Sequence, residues 1–79
     1  MNIKILGTGC AKCEALEKKV RHIVEAQGIN AEISKVTDLK QIMSYGVMMT
    51  PGLVINEKVV SFGSIPPESQ ILNWLKENS

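Results

Sequence analysis

The chain has 79 residues, and nine Lys or Arg against eight Asp or Glu leave a formal net charge of +1. With one Trp, one Tyr and one Phe, it lacks both the basic excess and the stacking aromatics of a nucleic-acid binder, so nucleic acid is not an expected partner. Folding must offset about 1.5 kcal/mol of conformational entropy per residue, and a hydrophobic content of 44% makes one core feasible. Residues 1–79 show no linker, low-complexity tract or repeat and read as a single domain.

Asn2 to Leu6 carries β-branched residues at alternate positions, Ile3 and Ile5, and stops at Gly7-Thr8-Gly9, the pattern of a short strand and a loop. Its apolar part is broken by Lys4 and is far shorter than the roughly 20 residues of a membrane span. The expectation is therefore a cytoplasmic protein with no membrane contact; separately, a monomer is expected. From Cys10 onward, Cys13, Leu16, Val20, Ile23, Val24 and Gln27 recur at helical steps, and Gly28 ends the helix. Glu14 with Lys18 and Glu17 with Arg21 have the spacing of solvated ion pairs on the opposite face. His22 falls on the solvent side.

Ala31 to Val36 alternates as a second strand with one face buried. Asp38 then caps a short helix through Leu39, Ile42 and Met43, ending near Gly46. Leu53-Val54-Ile55, the turn Asn56-Glu57-Lys58 and Val59 to Phe62 predict a hairpin whose first strand is buried on both faces. Pro66 and Pro67 suit a helix's first turn, and Ile71, Leu72 and Leu75 supply the stripe of that last helix. The order β-α-β-α-β-β-α predicts an α/β fold, with the first strand central in a four-stranded mixed sheet, the crossover strands parallel and helices on both faces.

Cys10 and Cys13 are the only cysteines, and the loop between them is too short to stabilise the chain appreciably as a disulfide. In a reducing compartment such a pair points to redox chemistry or metal. Cys10 sits where a strand hands over to a helix N-terminus, a position that favours a thiolate over the free thiol of pKa about 8.5. Cys13, one turn along and less exposed, is placed to attack a mixed disulfide at Cys10 and release the partner. Lys12 between them supplies at most supporting positive potential, because an exposed charge is screened. Gly7-Thr8-Gly9 lacks the remaining residues of a phosphate loop and reads as the sharp turn that leaves Cys10 accessible.

Gly9-Cys10-Ala11-Lys12-Cys13 after the first strand, Thr50-Pro51 before the hairpin and Phe62-Gly63 before the last helix resemble the thioredoxin superfamily. The similarity is to its small redox-active disulfide proteins of thioredoxin/glutaredoxin type, found in archaea and anaerobic bacteria, and covers essentially the whole chain. The resemblance implies a thioredoxin-like fold and a dithiol–disulfide oxidoreductase that needs no bound cofactor, because the cysteine pair holds the two electrons. It further implies that Cys10 and Cys13 are catalytic, that the Thr50-Pro51 bond is cis, and that Thr50, Pro51 and Gly9 border the substrate. The implied partners are disulfide-containing proteins or small disulfides, with a flavin-dependent reductase of thioredoxin-reductase type returning the electrons.

The chain departs from the family at several positions. Thioredoxins have Trp before the first cysteine and Gly-Pro within the pair, where this chain has Gly9 and Ala11-Lys12. They also carry a buried Asp that assists the resolving thiol, at the position of Lys4, so no base for Cys13 is assigned. Phe62-Gly63-Ser64 keeps only part of a glutaredoxin's glutathione-holding element. Met48, Met49 and Tyr45 stand near the expected groove without a direction of their own.

One alternative is a heavy-metal-associated Cu(I) carrier, since two soft thiolates suit Cu(I). Such carriers usually have Met where this chain has Thr8, end in a strand rather than a helix, and give no role to Thr50-Pro51. No metal is expected, because Cys10 and Cys13, even with His22, fall short of a four-ligand zinc site. The other alternative is a docking domain without catalysis, which the presence of both cysteines argues against.

Overall fold

The computed structural model describes residues 1–78; Ser79 lies outside the described residues. The elements are β1 (Asn2–Leu6), α1 (Ala11–Ala26), β2 (Glu32–Val36), α2 (Leu39–Ser44), β3 (Gly52–Ile55), β4 (Lys58–Phe62) and α3 (Glu68–Glu77), in the order the residue pattern predicts. The four strands form one sheet in the order β2-β1-β3-β4. β1 runs parallel to β2 and antiparallel to β3, and β3 and β4 form an antiparallel hairpin. A two-residue turn closes that hairpin, with Asn56 and Glu57 both at positive φ (50° and 66°), while Lys58 already belongs to β4.

Alternation along the central strands divides the apolar residues between two layers. Ile3, Ile5, Leu53 and Ile55 face α1 and α3, where they meet Leu16, Val20, Ile23, Ile71 and Leu75. Leu6 and Val54 face the other way, with Val36, Ile42 of α2 and Val47. β3 is buried at all four positions, which explains its unbroken apolar run. Helices thus cover both faces, and β1 lies inside the sheet with its C-terminal end directed at the cysteine loop.

Several details differ from the sequence expectation. Val36 belongs to the α2 layer, so the strand's buried residues do not all share a face; Ile33 packs on the α1 side, and Lys35 stands on that side as well. Leu39 and Met43 are 61% and 63% exposed, leaving Ile42 as the buried anchor of α2. Gln27 is the exposed C-cap of α1 rather than part of its buried stripe. Pro66 and Pro67 precede α3, with Pro67 as its N-cap, because the extended backbone there (ψ 152°) starts the helix one residue later than a first-turn proline would. His22 is exposed, as expected. Among the described residues no helix is long and apolar enough to cross a membrane.

Candidate active site

At the end of β1 the Gly7 N–H donates to the Val36 carbonyl (3.0 Å), which holds the loop against β2. Gly9 takes φ +90°, a conformation that side chains rarely adopt, and delivers Cys10 in extended form (φ −70°, ψ 164°) to the start of α1. Cys10 is the N-cap: its Sγ accepts from the backbone N–H of Cys13 at 3.2 Å, as a capping hydroxyl or carboxylate would. The two cysteines form a disulfide with their Cα atoms 5.1 Å apart. Cys10 is exposed, whereas Cys13, inward on the α1 stripe, is only 5% exposed.

The floor of this site is Gly7. A Cβ there would fall 2.9 Å from the Cys13 Cβ, closer still to its Sγ, and 4.0 Å from the Cβ of Thr50. Cys13 and Thr50 therefore converge on Gly7, where a side chain would collide with Cys13 and make ordinary contact with Thr50. The Thr50–Pro51 bond is cis, the form the resemblance implies. Pro51 is buried, and its carbonyl accepts from the Gly63 N–H at 2.8 Å, tying the segment to the end of β4. Gly9 and Lys12 are both exposed at the mouth of the site.

Beside the disulfide, on the α2 side, Thr8, Leu39, Met43, Met48 and Thr50 border a cavity of about 260 Å³. Met48 is 93% exposed there, while the Met49 side chain lies where a Cβ on Gly63 would meet it at 3.5 Å. On the α1 side a smaller cavity, about 60 Å³, is bordered by Gly7, Cys13, Glu17, Lys35 and Thr37. A wider hollow, about 500 Å³, opens at the opposite end of the sheet around Met1, Asn30 and Asn56, away from either cysteine.

Glu17 departs from the simple solvated pair that its spacing suggests. It accepts from Arg21 on its own helix (2.9 Å) and also pairs with Lys35 of β2 (3.1 Å), and its side chain is 13% exposed. Removal from water pushes its carboxyl pKa up, but hydrogen bonds from Arg21 and Lys35 outweigh that and leave it below the ordinary carboxylate value. Glu14–Lys18 is not among the ion pairs of the described residues. Lys4 bonds to Glu57 (2.6 Å) and to the Tyr45 hydroxyl (2.9 Å), and the hydrogen bond to Glu57 raises its pKa above the ordinary lysine value. None of Lys4, Tyr45 and Glu57 borders the Cys13 cavity.

A family model described as a thioredoxin domain matches residues 1–76. The chain belongs to the thioredoxin domain family. It is 43% identical over 74 residues to a thioredoxin of Methanocaldococcus jannaschii, covering 94% of this chain and 85% of that one. It is 38% identical over 71 residues to a thioredoxin of Methanothermobacter thermautotrophicus, covering 90% and 92% respectively. The solved structure of thioredoxin 1 from Thermosipho africanus superposes with a TM-score of 0.66 at 21% identity, over 98% of this chain and 92% of that one, and so shares the fold. The thioredoxin assignment does not favour a Cu(I) carrier, and the last described element is a helix, not the strand in which such carriers end.

Within this thioredoxin domain, Gly7 and Glu17 are the site residues that the sequence left unmarked. Gly7 read only as part of a turn, because its contact with Cys13 arises from the packing of α1 over β1. Glu17 read as surface charge, although its spacing of four from Cys13 puts both side chains on one side of α1.

Proposed function

We propose that this thioredoxin-type thiol–disulfide oxidoreductase works through the Cys10-Ala11-Lys12-Cys13 dithiol, with Cys10 attacking and Cys13 resolving. The reading rests on one observation: within a single disulfide, Cys10 is exposed at a helix N-terminus while Cys13 is 5% exposed beneath it. An incoming disulfide can reach only the outer sulfur. When the pair is reduced, the Cys13 N–H that now meets Cys10 Sγ at 3.2 Å, together with the positive end of α1, favours the thiolate at Cys10.

The Cys10 thiolate attacks one sulfur of the substrate disulfide, forming the Cys10–substrate bond and releasing the other sulfur as a thiolate. Cys13 then loses its proton and attacks Cys10 Sγ. The Cys10–Cys13 bond forms, the mixed disulfide breaks and the second substrate thiolate leaves. Two electrons pass from the cysteine pair to the substrate, so no bound cofactor is required. Thr50, held beside Cys13 by the anchored Pro51, offers its backbone to an extended substrate segment, Gly9 gives that segment clearance, and Lys12 adds a screened positive potential. The substrates are disulfide-containing proteins or small disulfides in a reducing, cytoplasmic compartment, and a flavin-dependent reductase of the thioredoxin-reductase type returns the electrons to the monomer.

Cys13→Ser should accumulate a mixed disulfide through Cys10 when offered a disulfide-bonded protein, detectable by non-reducing electrophoresis and mass, whereas Cys10→Ser should trap little. Equal trapping through Cys13 would overturn the assignment of roles.

A further inference from the structure

The resolving thiol must lose a proton before it can attack, yet Cys13 is nearly closed off from solvent. Lys4 holds the family's position for an assisting acid, but it is a cation committed to Glu57 and Tyr45. On the α1 side Cys13 borders the cavity of about 60 Å³. One water occupies about 30 Å³ of liquid volume, so the space suffices for bridging water. The ionisable groups bordering it, besides Cys13, are Glu14 and Glu17 from α1 and Lys35 from β2. Glu14 is exposed, and Lys35 is a cation with no lone pair to offer. Glu17 alone is both sheltered and an anion, fixed from two directions by Arg21 and Lys35.

We infer that Glu17 takes the proton of Cys13 through water in the cavity they share, and that Lys35, by pairing with it across the helix–sheet gap, positions the carboxylate. This rests on the reading of Cys13 as the resolving cysteine. The Cys13 S–H gives its proton through the water to the Glu17 carboxylate; the thiolate attacks Cys10 Sγ; the partner's sulfur leaves with the electron pair; and Glu17 returns the proton to solvent. The groups that face Glu17 are Arg21 and Glu14 on its own helix, Lys35 on β2 and Cys13 itself. The two cations keep Glu17 ionised throughout the neutral range, so the acceptor is available at any pH near 7.

The test uses the reduced full chain and the aryl disulfide dithiobis(nitrobenzoate), whose leaving thiolate needs no proton. The first equivalent of aryl thiolate reports attack by Cys10 and the second reports resolution by Cys13. In the parent the second phase should be nearly independent of pH between about 5.5 and 7.5. In Glu17→Gln it should slow by about 100-fold near pH 6, within the usual range for a lost proton-transfer group, and climb about tenfold per pH unit as bulk hydroxide takes over. Glu17→Asp should restore the flat profile at reduced rate. Lys35→Met, which keeps the carboxylate but removes a cation, should shift the acid limb of the second phase upward in pH. A Glu17→Gln second phase with the parent's profile, or one uniformly slower with the parent's flat slope, would overturn the inference. Cys13→Ser should keep the first phase and hold the aryl group as a stable mixed disulfide at Cys10, whereas Cys10→Ser should react far more slowly; a Cys10→Ser chain as fast as Cys13→Ser would overturn the roles of the two cysteines, independently of Glu17.

Discussion

Gly7→Ala adds a single methyl group, yet it should disturb both stability and redox balance. The new Cβ would lie 2.9 Å from the Cys13 Cβ, inside the distance that real contacts reach, and nearer still to the sulfur. Neither side yields readily, because Gly7 is bonded to Val36 at 3.0 Å and Cys13 is fixed in α1. Overpacking of this kind costs about 1–3 kcal/mol. At about 2 kcal/mol, the thermal midpoint of a domain this size falls by roughly 8–16 °C. In the dithiol form Cys13 can rotate its sulfur away, whereas in the disulfide it is tied to Cys10. If about 1 kcal/mol falls on the oxidised form alone, the equilibrium moves about fivefold toward the dithiol, or about 20 mV. Melting both redox forms by circular dichroism and equilibrating the pair with dithiothreitol would measure the two effects. Gly9→Ala is the control: its Cβ meets nothing within 4 Å, so it should cost only the roughly 1–2 kcal/mol of a left-handed backbone. Gly7→Ala melting within about 2 °C of the parent, with an unchanged dithiothreitol equilibrium, would refute the argument.

Leu16→Ala removes a fully buried side chain between α1 and the sheet and should cost about 2–5 kcal/mol, read as a lower urea midpoint. Glu17 has a folded-state pKa below its unfolded value, so its contribution is present above the unfolded pKa and fades as pH falls through the folded one. The parent should accordingly outlast Glu17→Gln in thermal melts at pH 7, by less than about 1 kcal/mol after screening, and the difference should shrink as the pH falls below the ordinary carboxylate range. Lys4→Met breaks a cluster that touches neither cysteine, and should lower the melting temperature slightly while leaving the rate of disulfide reduction unchanged.

Much of this fold is written in local pattern. The Leu16, Val20, Ile23 and Val24 stripe defines the buried face of α1, Ile3 and Ile5 define that of β1, and Asp38 caps α2 where expected, accepting from the Lys40 N–H. Alternation along β2 puts Val36 on the opposite face from Ile33, but local pattern does not show that both faces are covered there. The same limit concealed Lys35, whose partner Glu17 is visible only once β2 lies beside α1. Local spacing revealed just the Arg21 half of that cluster. The cysteine pair and Thr50-Pro51 stood out through residue type and resemblance, but the role of Gly7 consists of atoms it lacks, and only the packed structure identifies the side chain they would strike.

The central claim is that Cys10 and Cys13 form one two-electron couple. It is tested most directly by equilibrating the chain in dithiothreitol buffers of graded poise, alkylating free thiols and counting them by mass, with a parallel Cu(I) competition. The account predicts one transition in which species with no thiol and with two thiols interconvert, singly alkylated chain stays scarce, and Cu(I) binds weakly. Cysteines that titrate separately, or that never form their disulfide while Cu(I) binds tightly, would contradict it.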